Sequence, residues 1–184
     1  MNRDAARAWA FLNEADVICS AEAVTAAVTR VAAEVTARLG ETYPVVMSVM
    51  GGGVVFTGQL LPLLRFPLDF DYIHATRYRG ETAGGRIEWK VRPREDVRDR
   101  VVLVVDDILD EGYTLAAIRD SLREAGAREV LNAVFCEKIL GRSKPVQADF
   151  VGVTVPDRYV FGYGMDVHGA WRNLPAVYAL KETT

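Results

Sequence analysis

The sequence is poor in cysteine, in long apolar runs and in unbalanced charge, and each shortage removes a class of protein. Its two cysteines, Cys19 and Cys136, have neither a metal-binding nor a redox spacing, so we expect plain core thiols in a reducing, cytoplasmic setting. No apolar run approaches the ~18 residues that a membrane span requires. Residues 1–20 contain acids and lack the apolar centre of a signal peptide. With a net charge of −3, we expect neither a membrane nor a nucleic acid as a partner.

What the sequence does contain is enough apolar residues for a large core. Half of the 184 residues are hydrophobic, which suits one compact domain spanning residues 1–184. Ser20 can cap a helix whose valines recur every three or four positions until Gly40. We further expect strands at 44–50, 68–78, 100–107, 129–138 and 149–155, helices at 54–65 and 114–126, and a loop or hairpin at 79–89. This order of elements, with Val-rich strands, predicts an α/β fold with a mostly parallel sheet.

A cluster of acids follows the most apolar predicted strand, in the stretch VVLVVDDILDEGYTL (101–115). Ligands of open parallel sheets bind beyond the carboxyl ends of strands, where Asp106 and Asp107 lie. In the next turn, Gly112 lets the backbone approach an anion, and the amides and the Thr114 hydroxyl can donate to phosphate. Because the acids alone would repel phosphate, the pattern favours a ligand that combines ribose, phosphate and Mg²⁺. The alternative is that the acids only cap a helix and solvate a loop.

This stretch resembles the phosphoribosyl pyrophosphate (PRPP) signature of the type I phosphoribosyltransferases: an apolar strand, two acids, two apolar residues, Asp, Ser or Thr, Gly, any residue and Thr. Four further segments are similar to the hypoxanthine-guanine branch: VMGGGVVF (49–56), TRYRGETAGG (76–85), FCEKILGRSKP (135–145) and PDRYVFGYGMDVHGAWRNLPAVYAL (156–180). The resemblance implies the type I phosphoribosyltransferase fold, a central mostly parallel sheet flanked by helices. It also implies a core of about residues 20–155 and a small hood built from residues 1–19 and 156–184.

The resemblance implies Mg²⁺-dependent transfer of the 5-phosphoribosyl group from PRPP to hypoxanthine, guanine or both, which gives a nucleoside monophosphate and pyrophosphate. Asp106 and Asp107 would hold the ribose hydroxyls, directly or through Mg²⁺. The turn that binds the 5′-phosphate would comprise Glu111, Gly112, Tyr113 and Thr114. The pyrophosphate site, with a loop in which the family often has a non-proline cis peptide, would comprise Gly51, Gly52, Arg172 and, near a second Mg²⁺, Asp166.

On the purine side, the resemblance implies that Asp110 faces N7 of the base as a general acid/base or as a hydrogen-bond acceptor. Lys138 would donate to the 6-oxo group, which disfavours the 6-amino group of adenine because mismatched polar groups discriminate strongly. Tyr159 would stack on the 6-oxopurine base, with the Val160 main chain at its edge.

Three positions depart from the family pattern, and all three lie on the PRPP side. Glu111 stands where Ser or Thr is usual, Tyr113 where some members have lysine, and Gly51 where some have lysine although small residues also occur. Because an acid would repel the 5′-phosphate, Glu111 must point away from it or pair with a cation. We expect Glu111 to point outward and the backbone amides of the turn to bind the phosphate.

The resemblance also implies a mobile loop and an oligomer. The glycine-rich segment 79–85, beside Arg77 and Tyr78, would close over the reaction and keep water from an oxocarbenium-like transition state. The family usually forms dimers or tetramers. The apolar helix at 54–64 could supply such a homo-oligomer interface, although a core helix fits its composition equally well.

Two other functions stay open at this point. One is a xanthine-preferring or otherwise shifted purine phosphoribosyltransferase. The other is an RNA-binding regulator on the same fold. That regulator would need a basic face, of which the net charge of −3 gives no sign, and it would not need Lys138 or the aromatic pocket at 159–163.

Overall fold

The computed structural model describes residues 4–77, 87–94 and 96–181. The helices are α1 (Ala5–Glu14), α2 (Ala21–Leu39), α3 (Val54–Leu60) and α4 (Tyr113–Glu124), with a short 3₁₀ helix at Leu61–Leu63. The strands are β1 (Asp16–Cys19), β2 (Val45–Val49), β3 (Asp69–Arg77), β4 (Ile87–Val91), β5 (Val101–Leu109), β6 (Glu129–Lys138), β7 (Phe150–Val155), β8 (Val160–Phe161) and β9 (Val177–Ala179). Within the described ranges, no helix combines the length and the apolar character of a membrane span.

Six strands form one sheet in the order β4-β3-β2-β5-β6-β7. Only the β3–β4 pair is antiparallel; the other neighbours are parallel, which confirms the predicted α/β fold with a mostly parallel sheet. The central strand β5 is buried on both faces. Its residues 101, 103 and 105 join a core cluster with α2 and α3, whereas 102 and 104 join one with α4. Burial on both faces explains why this strand shows no polar alternation.

Helix α2 begins and ends where the sequence predicts. The Ser20 hydroxyl accepts a hydrogen bond from the Ala23 amide at 3.3 Å, so one of the free first-turn N–H groups is satisfied. The predicted apolar stripe faces the core through Val24, Val28, Val31, Val35 and Leu39. The helix ends at Leu39, and Gly40 follows with a right-handed φ of −54°.

Two segments differ from the sequence expectation, and a third agrees with one of its two alternatives. The helix predicted at 54–65 ends at Leu60, because Pro62 lacks an N–H group and favours the 3₁₀ turn that follows. The strand predicted at 100–107 runs on to Leu109, since it pairs with β6 as far as Leu109 and Glu137. The end of the predicted loop or hairpin at 79–89 lies in β4 (Ile87–Val91), which is antiparallel to β3, as the hairpin alternative expects.

A second, small sheet joins segments near the two ends of the chain. Strand β9 lies between β1 and β8, and both pairs are antiparallel. Arg158 links these segments, because its Nη2 atom lies 2.6 Å from Asp16 Oδ2 and 2.7 Å from the Leu180 carbonyl oxygen. The indole of Trp171 donates to the Ala8 carbonyl at 2.6 Å and so attaches α1. These elements were not predicted individually, and their assignment to a hood stays a prediction.

Candidate active site

The acids of β5 project beyond the end of the neighbouring strand β2. Pairing between β5 and β2 ends at Val105 and Ser48, whereas pairing with β6 continues to Leu109. Asp106 and Asp107 therefore lie at the carboxyl edge of the sheet, as predicted, although they are inside β5 rather than at its last residues. This edge is where open parallel sheets bind ligands.

Asp106 and Asp107 are adjacent carboxylates with little positive charge around them. The Asp107 side chain is buried, and its amide donates to Asp106 Oδ1 at 2.9 Å. Burial raises the pKa of Asp106 well above its ordinary value, and the neighbouring charge of Asp107 raises it further. Burial also raises the pKa of Asp107. Among the described residues, the ion pair of Asp107 is with Arg172 Nη1 at 3.9 Å, and Asp106 has none.

This carboxylate pair fits a bound Mg²⁺ ion. Nowhere in the described part of the chain do three or more His, Cys, Asp or Glu side chains converge as a metal cluster. Mg²⁺ does not require such a cluster, because it is commonly held by one or two carboxylates together with substrate phosphates and water. A divalent ion bound there would favour the ionised form of both carboxyl groups, whose pKa values burial raises.

The predicted pyrophosphate loop lies directly against Asp107. The peptide bond between Met50 and Gly51 is cis, so the non-proline cis peptide that the resemblance implies is present in this loop. A Cβ atom on Gly52 would lie 1.7 Å from Asp107 Oδ2, whereas one on Gly51 would meet nothing within 4 Å. Gly164 approaches the same loop, because its own Cβ position is 2.3 Å from the Gly52 carbonyl oxygen. Position 52 thus has no room for a side chain.

The predicted phosphate turn connects β5 to α4. Gly112 has a φ of +84° and precedes the first residue of α4 without a side-chain cap, a conformation that glycine adopts at little cost. Because first-turn amides have no acceptor within a helix, the Thr114 and Leu115 amides can donate to an anion, and the helix dipole favours negative charge there. A cavity opens at this turn; its lining comprises Asp106, Ile108, Leu109, Asp110, Glu111, Gly112, Tyr113, Thr114 and Leu115.

Glu111 is paired with a cation, one of the two arrangements expected for it. Its side chain is half exposed, and its Oε1 atom lies 2.8 Å from Arg142 Nη2. Arg142 follows β6, in the segment that begins with the predicted purine-binding lysine. The ion pair balances the acid that stands where the family usually has Ser or Thr.

A second cavity contains the predicted purine-binding residues. It is lined by Asp107, Ile108, Asp110, Lys138, Tyr159, Val160, Met165, Asp166 and Arg172. Inside it, Lys138 Nζ lies 3.0 Å from Asp110 Oδ2. The Lys138 ammonium carries three N–H donors, so it can hold Asp110 and still donate to a ligand oxygen.

Tyr159 forms one wall of this cavity and has other aromatic rings near it. Its hydroxyl donates to the Asp166 carbonyl oxygen at 3.2 Å. The His168 ring lies nearly parallel to it with a centroid distance of 6.4 Å, and Phe11 of α1 stacks on His168 at 5.1 Å. Val160, the next residue, is buried and pairs with Ala179 in the small sheet. The tyrosine is therefore held in place although half of it is exposed.

Arg172 lies between Asp107 and Asp166. Its guanidinium donates to the Gly164 carbonyl at 2.7 Å and forms a short ion pair with Asp166 Oδ1. Asp166 Oδ2 accepts a hydrogen bond from the Gly169 amide at 2.7 Å. Both Asp166 oxygens are thus engaged within the protein, and its predicted role beside a second Mg²⁺ stays a prediction.

The structure brings most of the predicted site residues to one edge of the sheet, and it adds several that the sequence reasoning missed. Ile108 and Met165 line the purine-side cavity, and Arg142 and Lys144 contact the phosphate turn and the end of β5. Ile108 lies inside the acidic motif, so its position between acids was a usable signal; Met165, Arg142 and Lys144 lie in two of the other segments that carry the resemblance, where only membership of the segment marked them. Of the predicted mobile loop, Tyr78, residues 79–85 and the Arg77 side chain lie outside the described residues.

The fold and the site define an α/β protein whose cavities lie at the carboxyl edge of a mostly parallel sheet, around a pair of vicinal acids. Residues 15–168 match the model of the phosphoribosyl transferase domain. The hypoxanthine-guanine phosphoribosyltransferase of Streptococcus pneumoniae (strain R6) is 32% identical over 167 residues, which are 90% of this chain and 93% of that protein. The hypoxanthine-guanine-xanthine phosphoribosyltransferase of Tritrichomonas foetus is 34% identical over 157 residues, 85% of this chain and 86% of that protein.

Solved structures agree with these relatives. A Staphylococcus aureus hypoxanthine phosphoribosyltransferase is 25% identical and superposes with a TM-score of 0.87, covering 94% of this chain and 95% of its own. A hypoxanthine-guanine-xanthine phosphoribosyltransferase is 30% identical with a TM-score of 0.84, covering 92% of this chain and 99% of its own. The chain belongs to the phosphoribosyl transferase domain family, and its predicted resemblance to the hypoxanthine-guanine branch is confirmed.

Proposed function

We propose that this protein is a purine salvage enzyme that transfers the 5-phosphoribosyl group from PRPP to hypoxanthine, guanine or both and releases pyrophosphate. The observation that carries the proposal is that the two cavities share Ile108 and Asp110. A base in the cavity lined by Lys138 and Tyr159 and a ribose 5′-phosphate in the cavity at the phosphate turn would therefore meet beside Asp110. Relatives named for this activity, at 32% identity over 90% of the chain, support the same reaction.

The purine side supplies recognition and proton transfer. Lys138 would donate to the 6-oxo group, and Tyr159 would stack on the base, with the Val160 main chain at its edge. A base that carries its proton on N7 can give it to Asp110 while N9 forms the bond to C1 of the ribose. The C1–O bond breaks in the same process, and its electron pair leaves with pyrophosphate.

The PRPP side stabilises charge. The amides at the start of α4 would bind the 5′-phosphate, and Gly51, Gly52 and Arg172 would bind the pyrophosphate, on which negative charge grows as C1–O breaks. Asp106 and Asp107 would hold the ribose hydroxyls, directly or through Mg²⁺, and Asp166 would lie near a second Mg²⁺ and the pyrophosphate; such ions would supply positive charge to the leaving group. Arg77, Tyr78 and residues 79–85 are proposed to close over the bound substrates.

The setting and assembly are proposals as well. Both cysteines are free and buried in the structure, which agrees with a reducing cytoplasm. Val54 at the start of α3 and Leu63 in the 3₁₀ helix that follows it are exposed, whereas Phe56 and Leu60 are fully buried. The outer side of this core helix is thus available to a homodimer or homotetramer interface. Light scattering coupled to size exclusion tests the assembly, and a monomer at all concentrations would contradict it.

The test of function is conversion of hypoxanthine, guanine, xanthine, adenine and uracil with PRPP and Mg²⁺, followed by chromatography of the nucleotides. We expect turnover of hypoxanthine, guanine or both, loss of turnover with EDTA, and none with uracil. Turnover mainly of xanthine would establish the alternative substrate. If no purine is converted and the protein binds RNA tightly and in a salt-sensitive way, the proposed enzyme function is refuted and the RNA-binding regulator is favoured instead.

A further inference from the structure

Lys144 is a buried cation at the edge of the candidate active site. Only 8% of its side chain is exposed. Its ammonium donates to the Leu109 carbonyl at 3.0 Å and to the Lys138 carbonyl at 2.6 Å, and it lies 3.4 Å from Glu137 Oε1. These three acceptors match its three N–H donors, so the burial of the charge is compensated.

The place of these contacts in the sheet is specific. Pairing between β5 and β6 ends at Leu109 and Glu137. Beyond that point no ladder joins the two strands, and Lys144 links them by binding one main-chain carbonyl from each. It therefore holds the ends of the two strands together where their ladder stops.

The two carbonyls belong to the part of the chain that would read the purine. Leu109 directly precedes Asp110, and the second carbonyl is that of Lys138 itself. A rigid base fixes the separation between its N7 and O6 atoms, so the two side chains must keep a matching separation, and a displacement of about 1 Å can cost roughly 100-fold in rate.

We propose that Lys144 is a positioning residue that sets the spacing of Asp110 and Lys138 for 6-oxopurine recognition; this inference rests on the proposed function. In the neighbouring Arg142–Glu111 pair both side chains are exposed, and exposed ion pairs contribute little to stability. The buried Lys144 ammonium is the stronger link between the strand ends.

The test compares Lys144→Met, which keeps the length of the side chain, with Lys144→Arg and with Arg38→Met. Arg38 pairs with Glu129 at the opposite end of β6, at 2.5 Å, and so serves as a control for loss of a cation bound to the same strand. The Michaelis constants for the purine and for PRPP are measured separately for each variant.

We expect Lys144→Met to raise KM for hypoxanthine or guanine by about tenfold and to change KM for PRPP by less than about twofold. Lys144→Arg should recover part of the loss, and Arg38→Met should leave both constants unchanged. If Lys144→Met raises KM for the purine and KM for PRPP together, the effect is a general loss of structure and the inference is overturned. It is also overturned if both constants of Lys144→Met equal those of Arg38→Met. If Lys144→Met does not fold, the change in KM for the purine relative to that for PRPP is measured in Lys144→Arg instead, and the same criterion applies. An inactive wild-type protein refutes the proposed function itself, whereas an active wild type with unaffected Lys144 variants refutes only this role.

Discussion

Lys138 and Asp110 form an ion pair across the ends of two neighbouring strands, with Nζ 3.0 Å from Oδ2. The lysine side chain is mostly buried and the aspartate half exposed, and both line the same cavity. In the proposed reaction the lysine would read the 6-oxo group and the aspartate the N7 atom of one base. The pair therefore places the two recognition groups in contact before any base binds.

Asp110→Asn is expected to reduce kcat by about 10²–10⁴-fold, because the amide keeps the shape of the side chain but cannot accept a proton. The Michaelis constant for PRPP should change by no more than a few-fold, since Asp110 is proposed to contact the base. Steady-state kinetics measures both, and thermal melting controls for folding. Unchanged turnover would remove Asp110 from the catalytic role.

Lys138→Gln is expected to weaken discrimination between 6-oxopurines and adenine. A glutamine amide can donate to an oxo group or accept from an amino group, whereas an ammonium can only donate. The ratio of kcat/KM for hypoxanthine to that for adenine should fall by about tenfold or more. An unaltered ratio would show that base selection lies in other residues.

The Asp110–Lys138 pair also shows how far the sequence could be interpreted. The acidic motif and the strand–helix order depend on local spacing and periodicity, so the α/β fold and the position of the acids could be predicted. The contact between Asp110 and Lys138 joins residues 28 positions apart and requires the order of β5 and β6, which the motif does not contain. The strands of the small sheet have two to four residues and are too short to show a period.

For Glu111, the sequence predicted the need for a partner but not which residue the partner would be. The need for a cation or an outward direction followed from charge alone. Its partner Arg142 is 31 residues away and lies in the segment after β6, whose path depends on tertiary contacts such as those of Lys144. No pattern in the sequence distinguishes Arg142 from the other arginines.

Gly52→Ala is expected to abolish most activity, by about 100-fold or more, because the new Cβ atom would lie 1.7 Å from Asp107 Oδ2 and displace that carboxylate. Gly58→Ala is the matched control: a Cβ there meets nothing within 4 Å, and alanine in a helix is favoured over glycine by about 0.5–1 kcal/mol. Kinetics and thermal melting of both variants provide the measurement. Equal activity of the two would mean that the loop tolerates a side chain at position 52.

Asp106→Asn is expected to stabilise the protein in the presence of EDTA at neutral pH while it removes activity. Burial, together with the charge of Asp107, raises the pKa of Asp106 in the folded protein. The folded state is therefore not penalised below the pKa that Asp106 has in the unfolded chain, and it loses stability as the pH rises from there through the pKa of Asp106 in the folded protein. Asparagine does not have this loss. At pH 8 the variant should be more stable by on the order of 1 kcal/mol, or about 2–4 °C in Tm.

The advantage of Asp106→Asn should shrink as the pH falls below about 4, where the wild-type carboxyl group becomes protonated in the unfolded state as well as in the folded one. Differential scanning fluorimetry across this range compares the two proteins. A variant that is less stable at pH 8, or a Tm difference that does not depend on pH, contradicts the assignment of a raised pKa to Asp106.

Arg142→Ala is expected to raise KM for PRPP, because it releases the charge of Glu111 beside the turn that would bind the 5′-phosphate. Glu111→Thr, which restores a hydroxyl at that position, should lower KM for PRPP by a few-fold. In the Glu111→Thr background, Arg142→Ala should have little effect, since no acid remains to be neutralised. The coupling should be about 1 kcal/mol or less and should weaken with salt, as for other exposed pairs. If Arg142→Ala raises KM equally in both backgrounds, Arg142 contacts PRPP itself rather than acting through Glu111.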